Sequence, residues 1–369
     1  MTEHSVLYRK YRPQTFTDVV GQDHIIQSLV TAVEKGTVAH SYIFSGPRGT
    51  GKTTVARILA RAVNCTGAGK KKPCLKCDVC TQFQAGTSLD LIEIDGASNN
   101  GVDEIRELRE AVRFHPQTAQ RKVYIIDEVH MLSKGAFNAL LKTIEEPPEY
   151  VMFILATTDL DKVPDTIRSR CEEFQFRRLP ATVIQKRLAE IAALEGADIS
   201  KDALRILSLL AEGSERDAES ALGQVLASHT GVIPATAVTT LFGLPQTSTI
   251  AKLLQSVIRG TLKDSLAIVS REVAGNTDPQ HLTKLLIEDL KHTLFLAVDS
   301  EYTGTLSSEM SNEHIQFIKQ EGSAAGVDEL RRILVLLLEA FHSQLNGAIA
   351  ELPLELALVE IHTKRPEKK

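Results

Sequence analysis

Gly46-Pro-Arg-Gly-Thr-Gly-Lys-Thr53 reads as a phosphate-binding loop of the form Gly-x4-Gly-Lys-Thr. The apolar run Tyr42-Ile-Phe44 leads into it, and Val55, Ile58, Leu59, Ala62 and Val63 follow at helical spacing, which is the strand, loop, helix context this motif requires. The residue types answer to the chemistry. Glycines let backbone N–H groups close around phosphates, and the helix start adds positive potential. Lys52 is placed to neutralise the terminal phosphates, and Thr53 to ligate magnesium. Gly46, Pro47, Arg48, Gly49, Thr50, Gly51, Lys52, Thr53 and Thr54 are therefore the predicted cradle of a nucleotide. A Gly-rich turn of purely structural use is the alternative, and the flanking strand and helix weigh against it.

Outward from the loop, Val123-Tyr-Ile-Ile126 carries Asp127 and Glu128 to the end of an apolar strand, where carboxylates need a cation or chemistry. Asp127 is assigned to magnesium and Glu128 to polarising the attacking water, against the plainer reading that both cap the next helix. A further strand, Val151-Met-Phe-Ile-Leu-Ala156, ends in Thr157-Thr158-Asp159, and Thr157 is a candidate sensor of the terminal phosphate. Turn-forming polar residues have the same appearance. Gly213-Ser-Glu-Arg-Asp217 looks like a helix start with Ser214 as N-cap. A cation at the second helical position opposes the macrodipole by ~0.3–1 kcal/mol, so a phosphate would give Arg216 a reason to be there; a solvated surface arginine is the other reading. Arg170, in Arg168-Ser-Arg-Cys171, falls just before the fifth strand, where its side chain could point outward from the core; a finger reaching a neighbour's nucleotide is one reading, and the residues alone leave it open.

Between the two halves of this site lies Cys65-x8-Cys74-x2-Cys77-x2-Cys80. Four soft ligands at this spacing suit tetrahedral zinc, and a full set of thiolates leaves no open coordination position, so the metal is expected to be structural. Lys70-Lys-Lys72 and Lys76 can offset the site's negative charge. Reduced, metal-free thiols, an iron–sulfur cluster and a nucleic-acid-binding zinc knuckle are the alternatives, the last lacking an aromatic residue in the loop for base stacking.

The remaining features bound the class. At 369 residues, two or three domains are expected, and 43% apolar content supports full folding. Forty-two basic residues against 47 acidic ones give a net charge of -5, which argues against a chain coated in nucleic acid by bulk charge. The N-terminus Met-Thr-Glu-His-Ser has no signal-peptide pattern and no apolar run is long enough to span a bilayer, so a soluble, cytoplasmic protein is expected. Four of the five cysteines fall within sixteen residues, and Cys171 is left over. Runs at Tyr42–Phe44, Leu89–Ile94, Val123–Ile126, Val151–Ala156 and Glu173–Phe176 predict an α/β core of five buried parallel strands up to about residue 178. Helices follow over roughly 182–195, 200–212, 214–229 and 234–241, with a break at Gly243-Leu-Pro245. The clearest later helix is about 328–345, with a stripe of Leu330, Ile333, Leu334, Leu337, Leu338, Phe341 and Leu345 and a stop at Asn346-Gly347. The charged stretch 364–369 reads as the start of a linker or tail.

Together these residues resemble the γ/τ family of bacterial DNA polymerase III subunits, AAA+ clamp-loader ATPases, over essentially the whole chain. The resemblance is carried by Arg12-Pro-x-Thr-Phe-x-Asp-Val-Val-Gly-Gln22, the phosphate loop, the cysteine cluster directly after its helix, Asp127-Glu-Val-His-Met-Leu132, Asn138-Ala-Leu-Leu-Lys-x-x-Glu-Glu-Pro-Pro148 and Ser169-Arg-Cys171. It implies a P-loop ATPase domain over 1–178 with an inserted zinc module at about 64–81, a helical lid over 179–243 and a helical collar over 244–363. It implies that Tyr11, Arg12, Val19 and Val20 surround the adenine, that Arg216 is a second sensor, and that Arg170 serves the adjacent subunit. Asn99, Asn100, Arg106 and Lys142 match DNA-facing positions, although Asn99 and Gly101 stand where relatives can carry basic residues. ATP, Mg²⁺ and structural Zn²⁺ are the implied cofactors. The implied partners are further γ/τ copies, the δ and δ′ subunits in a five-membered ring, the sliding clamp and primer–template DNA, with polymerase and helicase bound by regions beyond this chain. The implied activity is ATP-driven clamp loading within the DNA polymerase III holoenzyme, with no polymerase active site in this chain. A ring motor that translocates DNA or unfolds protein, and an ATP-bound structural scaffold, are the competing readings.

Overall fold

The computed structural model describes residues 6–363 except 70, 230, 308 and 345–348. The expectations placed on Met1–Ser5, Lys70, Leu345, Asn346-Gly347 and residues 364–369 lie outside the described residues.

Five strands form one sheet in which every pair is parallel: β1 Ser41–Ser45, β2 Leu91–Asp95, β3 Lys122–Asp127, β4 Val151–Thr157 and β5 Glu172–Gln175, in the order β2-β3-β4-β1-β5. The central strands β1 and β4 are buried throughout, as near-continuous apolar runs require, because helices cover both faces. On one face Ile25, Leu29, Val55, Ile58 and Leu59 pack against Tyr42, Phe44 and Ile125. On the other, Ile105, Leu108, Phe137, Leu140 and Ile144 pack against Ile43, Tyr124 and Ile126. Pairing sets Ser45 beside Thr157, so the chain leaves β1 and β4 at the same level, and β3 ends at Asp127 just beside them. A parallel sheet thus brings the phosphate loop and the acidic pair to one edge, where ligands of such folds bind.

Two strand expectations need correction. The edge strands β2 and β5 are not buried throughout; their residues are half-buried or exposed, since each lacks a neighbour on one side. Leu89 stands outside β2 with 67% of its surface exposed. Asp90 turns inward instead, its carboxylate accepting hydrogen bonds from the backbone N–H groups of Gln117, Thr118 and Ala119 at 2.8–2.9 Å. Phe176 lies beyond β5 yet is buried, its N–H donating to the Ser45 carbonyl at 2.7 Å and its ring 5.3 Å from that of Phe44.

After β5 the described residues are helical, apart from one isolated parallel bridge between Ile199 and Ile233. Helices Ala181–Leu194, Lys201–Leu210, Glu215–Ser228 and Ala235–Leu241 stand close to their expected bounds. The expected stripe of helix Val327–Gln344 is shifted. Leu330, Ile333, Leu337, Ala340 and Gln344 are buried, whereas Leu338 is 45% exposed, because the buried face follows steps of three and four residues that pass it by. Contacts divide the chain into two units, Met1–Ile184 with Ala211–Ser220, and Gln185–Leu210 with Ala221–Lys369. The second has its own core, built on Leu253, Leu254, Leu286, Leu290, Ile318, Ile333 and Leu358. Within it Arg205 of helix Lys201–Leu210 meets the buried Asp289 at 3.2 Å, and His314 meets the same carboxylate at 3.1 Å. No helix among the described residues is long and apolar enough to cross a membrane.

Candidate nucleotide site and cysteine metal centre

The loop after β1 depends on its glycines in two ways. Gly46, Gly49 and Gly51 have φ of 139°, 74° and 97°, a region side chains disfavour. A Cβ on Gly46 would lie 2.3 Å from the Phe176 carbonyl, and one on Gly49 would lie 1.9 Å from Ser214 Oγ. Thr50 Oγ1 donates to the Pro47 carbonyl at 2.8 Å, and the buried Gln22 amide donates to the Arg177 carbonyl at 2.8 Å and to that of Thr50 at 3.4 Å. Lys52 opens helix Lys52–Val63 and is almost fully buried; its Nζ donates to the carbonyls of Gly46 at 2.7 Å and Pro47 at 2.8 Å. Burial lowers the Lys52 pKa, and the nearby Glu128 and Asp127 push the other way. The ammonium group therefore sits over the loop, close to two carboxylates.

Thr53 Oγ1 donates to Asp127 Oδ2 at 2.7 Å, joining the two residues assigned to magnesium. Glu128 follows in the left-handed region, φ 47°, a conformation costing about 1–3 kcal/mol in a residue with a side chain. Gly96 makes room for that turn, since a Cβ there would lie 2.8 Å from the Glu128 carbonyl. The Glu128 carboxylate accepts from Thr158 Oγ1 at 2.9 Å and from Thr158 N–H at 3.2 Å, with His130 Nδ1 3.4 Å away. Thr157 is placed differently from a residue aimed at phosphate. It is fully buried, its hydroxyl donating to the Asp159 carbonyl at 2.9 Å and lying 3.0 Å from His130 Nδ1. Thr158 and His130 are polar groups on Glu128; the sequence quoted both within motifs but gave neither a role on Glu128, because a tandem threonine after an apolar strand leaves two candidates that only strand phase separates.

Arg48, Gly49, Gly51, Lys52, Thr53, Thr54, Asp127, Glu128 and Arg216 line one cavity of about 140 Å³, closed on another side by Tyr8, Arg12 and Pro13. A larger cavity of about 730 Å³ shares Tyr8, Arg12, Pro13, Thr54 and Arg216 with it and continues past Arg57, Arg61 and Phe83. Of Tyr11, Arg12, Val19 and Val20, Arg12 lines this cavity, beside Tyr8 and Pro13, and Val19 packs against the apolar core. Arg216 stacks its guanidinium 4.8 Å from the Tyr8 ring centre, and Ser214 caps its helix by accepting from Asp217 N–H at 3.2 Å. Tyr8 lies outside the motif that starts at Arg12, so no spacing signal pointed to it.

The outlying residues are spread over the same unit. Arg170, 37% exposed, pairs with Glu145 at 2.7 Å and donates to the Thr166 carbonyl at 2.6 Å, and it is not among the residues lining the phosphate cavity of its own chain. Asn99 donates to the Asp95 carbonyl at 3.0 Å, and Asn100 accepts from Ser133 N–H at 3.0 Å. Arg106, paired with Asp103 at 2.8 Å, and Lys142 are exposed on helices Val102–Val112 and Lys134–Glu145.

The sulfurs of Cys65, Cys74, Cys77 and Cys80 all lie within 4.8 Å of one another. Tetrahedral zinc with bonds of about 2.3 Å needs sulfurs about 3.8 Å apart, so the donor set fits that ion with a small contraction. The knuckle is shaped for the purpose. Leu75 takes φ 59°, and a Cβ on Gly67 would lie 2.8 Å from Cys74 Sγ. Backbone N–H groups point at sulfur, Cys74 to Cys65 Sγ and Cys77 to Cys74 Sγ, both at 3.3 Å. Burial acts to raise the Cys77 pKa, but hydrogen bonds from Cys80 and Thr66 outweigh it and bring it down to about 6; burial pushes Cys80 up to about 12.

The family described as DNA polymerase III, delta subunit, matches over residues 21–180. DNA polymerase III subunit tau of Bacillus subtilis (strain 168) is 41% identical over 331 residues, covering 90% of this chain and 59% of that protein. The corresponding Escherichia coli (strain K12) subunit is 43% identical over 271 residues, 73% of this chain and 42% of the relative. This chain thus spans roughly half the length of those tau subunits. DNA polymerase III subunit gamma of Buchnera aphidicola subsp. Schizaphis graminum is 34% identical over 359 residues, covering 97% of this chain and 99% of that protein. With a relative aligned nearly end to end at 34% identity, the chain belongs to the γ/τ family of DNA polymerase III subunits.

Proposed function

We propose that this chain is an ATP-hydrolysing motor subunit of the clamp loader that serves DNA replication within the DNA polymerase III holoenzyme. The observation that carries the reading is the meeting of Lys52, the Thr53–Asp127 pair and Glu128 at one edge of the sheet. Lys52 exchanges its bonds to the Gly46 and Pro47 carbonyls for phosphate oxygens. Thr53 and Asp127 would hold Mg²⁺, which when bound neutralises charge on the β- and γ-phosphates. Glu128, oriented by Thr158 and His130, takes hydrogen-bonding hold of the attacking water. Arg216 reaches the phosphates from its own chain, while Arg170 supplies positive charge to the adjacent subunit's ATP. Thr157 acts behind this shell, holding His130 and Asp159. Cys65, Cys74, Cys77 and Cys80 hold a structural Zn²⁺ with no open position for chemistry.

ATP binding is read as opening the sliding clamp and gripping primer–template DNA, and hydrolysis as releasing the loaded clamp. The partners are further γ/τ copies, δ, δ′, the clamp and DNA, in the cytoplasm, with Asn99, Asn100, Arg106 and Lys142 as candidate DNA contacts. The test is ATP turnover by the full chain alone, with its partner subunits, and with clamp and primed DNA added. Strong stimulation only when clamp and primed DNA are both present is expected. A rate indifferent to them, or strand displacement without the clamp, would overturn the loader reading in favour of a scaffold or another ring motor.

A further inference from the structure

Thr54, Arg57 and Arg61 are spaced three and four residues apart on helix Lys52–Val63 and so share one face of it. All three line the cavity of about 730 Å³, to which other segments add Arg9, Arg12 and Arg216, while Glu93 is the one carboxylate among its lining residues. Five arginines thus surround one acid. That acid is taken, since Glu93 pairs with Arg57 at 2.5 Å. Arg9 and Arg216 lie over the Tyr8 ring, 5.8 Å and 4.8 Å from its centre. Arg61 is only 4% exposed, and its Nη1 donates to a neutral acceptor, Gln14 Oε1, at 2.7 Å. Burial lowers its pKa; Cys80 and Asp18 act against that, and Arg57 with it. Asp18 is itself committed, accepting from the N–H groups of Gln14 at 3.1 Å and Thr15 at 2.9 Å. Positive charge is therefore in excess around the cavity, and a buried guanidinium with an amide for a partner gains most from an anion brought to it.

The phosphate loop does not account for this excess. A helix rises about 1.5 Å per residue, so Arg61 stands about 12 Å along the axis from Thr53, the residue assigned to magnesium. Arg9, Arg57 and Arg61 line the large cavity and not the small one beside Lys52, Thr53 and Asp127, whereas Arg12 and Arg216 line both. The charge thus falls into two groups, one at the loop's own nucleotide and one beyond it. The rings in the lining do not suit the second group to a base, because Tyr8 is covered by arginine and Phe83 is 6% exposed. Guanidinium groups suit phosphate, whose oxygens they meet in pairs.

We propose that Arg9, Arg57 and Arg61 form a second anion site next to the nucleotide cavity, one that takes a phosphate group other than those of the ATP in the loop. The proposal rests on the ATP-site reading above only for which phosphates belong to the loop. Arg61 supplies a desolvated guanidinium at the cavity wall, and Arg9 an exposed one. Glu93 competes with the anion for Arg57, so it sets how tightly the site binds. A free polyphosphate compound and the backbone of a nucleic acid offer the same phosphate chemistry, and the two are told apart by competition.

The experiment is equilibrium dialysis of labelled pyrophosphate against the full chain in excess Mg²⁺, with the phosphate loop saturated by a non-hydrolysable ATP analogue. One pyrophosphate per chain is expected to stay bound under saturation. Arg61→Met should weaken it about tenfold or more. Glu93→Gln should act in the opposite sense, tightening it about threefold by removing the acid that competes for Arg57, a gain that a merely structural role would not produce. Both variants should bind the analogue as the wild type does. Pyrophosphate that leaves as the analogue fills the loop overturns the second site, as does retention that neither variant alters. Failure of the analogue to bind at all overturns the ATP-site reading, whereas pyrophosphate binding that still responds to Arg61→Met and Glu93→Gln would keep the second site standing without it. Single-stranded oligothymidylate then identifies the source: displacement of pyrophosphate assigns the site to a nucleic-acid backbone, and retention assigns it to a free phosphate compound.

Discussion

The phosphate loop and the cysteine cluster stand at opposite ends of one helix, Lys52–Val63, about 18 Å long, and they are built on opposite plans. The loop is open and strained. Three glycines hold left-handed backbone, Lys52 is buried against carbonyls, and Glu128 spends conformational energy to face the cavity. The cluster is closed, with four donors for four coordination positions and amides turned onto sulfur. The helix dipole favours this arrangement at only one end. Its positive N-terminus suits phosphate, while its negative C-terminus is a poor neighbour for thiolates. Sites that must exchange a ligand store strain; sites that hold one permanently saturate it.

The contrast breaks first at the charges aimed at phosphate. Arg170→Ala should cost about 10³–10⁵ in turnover by assembled rings, measured with clamp and primed DNA, while nucleotide affinity of the isolated chain stays unchanged. Equal turnover in rings would remove Arg170 from a neighbour's site and leave its pairing with Glu145 as its whole role. Next, Glu128→Gln should lower turnover about 10²–10⁴-fold with binding of an ATP analogue retained. Loading at a normal rate by this variant would favour the scaffold. Thr158→Val then tests orientation alone. It deletes the hydroxyl on Glu128 without touching Thr53 or Asp127, and a fall in turnover of about tenfold with unchanged nucleotide affinity is expected. A matching fall in affinity would instead mean that the 157–159 turn shapes the pocket.

At the closed end the expected signature is different in kind. Elemental analysis is expected to give one zinc per chain, and Cys77→Ser should abolish it and destabilise residues 64–81 toward proteolysis, while turnover falls by less than in any phosphate-side variant. A loss of turnover as deep as that of Glu128→Gln would place the metal in the chemistry and contradict its saturated ligand set.

Legibility in the sequence followed the same division. The loop, the acidic pair and the cysteines were readable because fixed spacing encodes them: the backbone geometry of a phosphate cradle and of a sulfur knuckle tolerates few alternatives. The five parallel strands were readable from apolar runs. What escaped depended on tertiary phase or on distant chain segments. Thr158 and Thr157 differ only in which side of β4 they leave, and Tyr8 reaches the cavity from an N-terminal turn without a motif. Gln22 was quoted within a motif, but its grip on the Arg177 carbonyl bridges 155 positions of sequence that no local pattern reports.

Asp90 shows the limit most sharply and yields the smallest effect. Placed at the head of an apolar run, it reads as a strand residue, yet its carboxylate gathers three backbone donors from residues 117–119 and so fixes the segment that feeds β3. Burial acts to raise its pKa, but the amide donors prevail and hold it below the usual carboxylate range. A depressed folded pKa means that the stabilisation is complete above the unfolded value, near 4, and is lost as pH falls through the folded value. Asp90→Asn keeps the shape, removes the charge and turns one acceptor into a donor facing amides, at an expected cost of about 1–3 kcal/mol in chemical denaturation at pH 7. The gap between variant and wild type should narrow as pH is lowered below 4. A gap that stays constant there would show that Asp90 acts through shape, in which case the carboxylates of this unit divide differently: charge would matter only at Asp127 and Glu128, on the open side of the sheet.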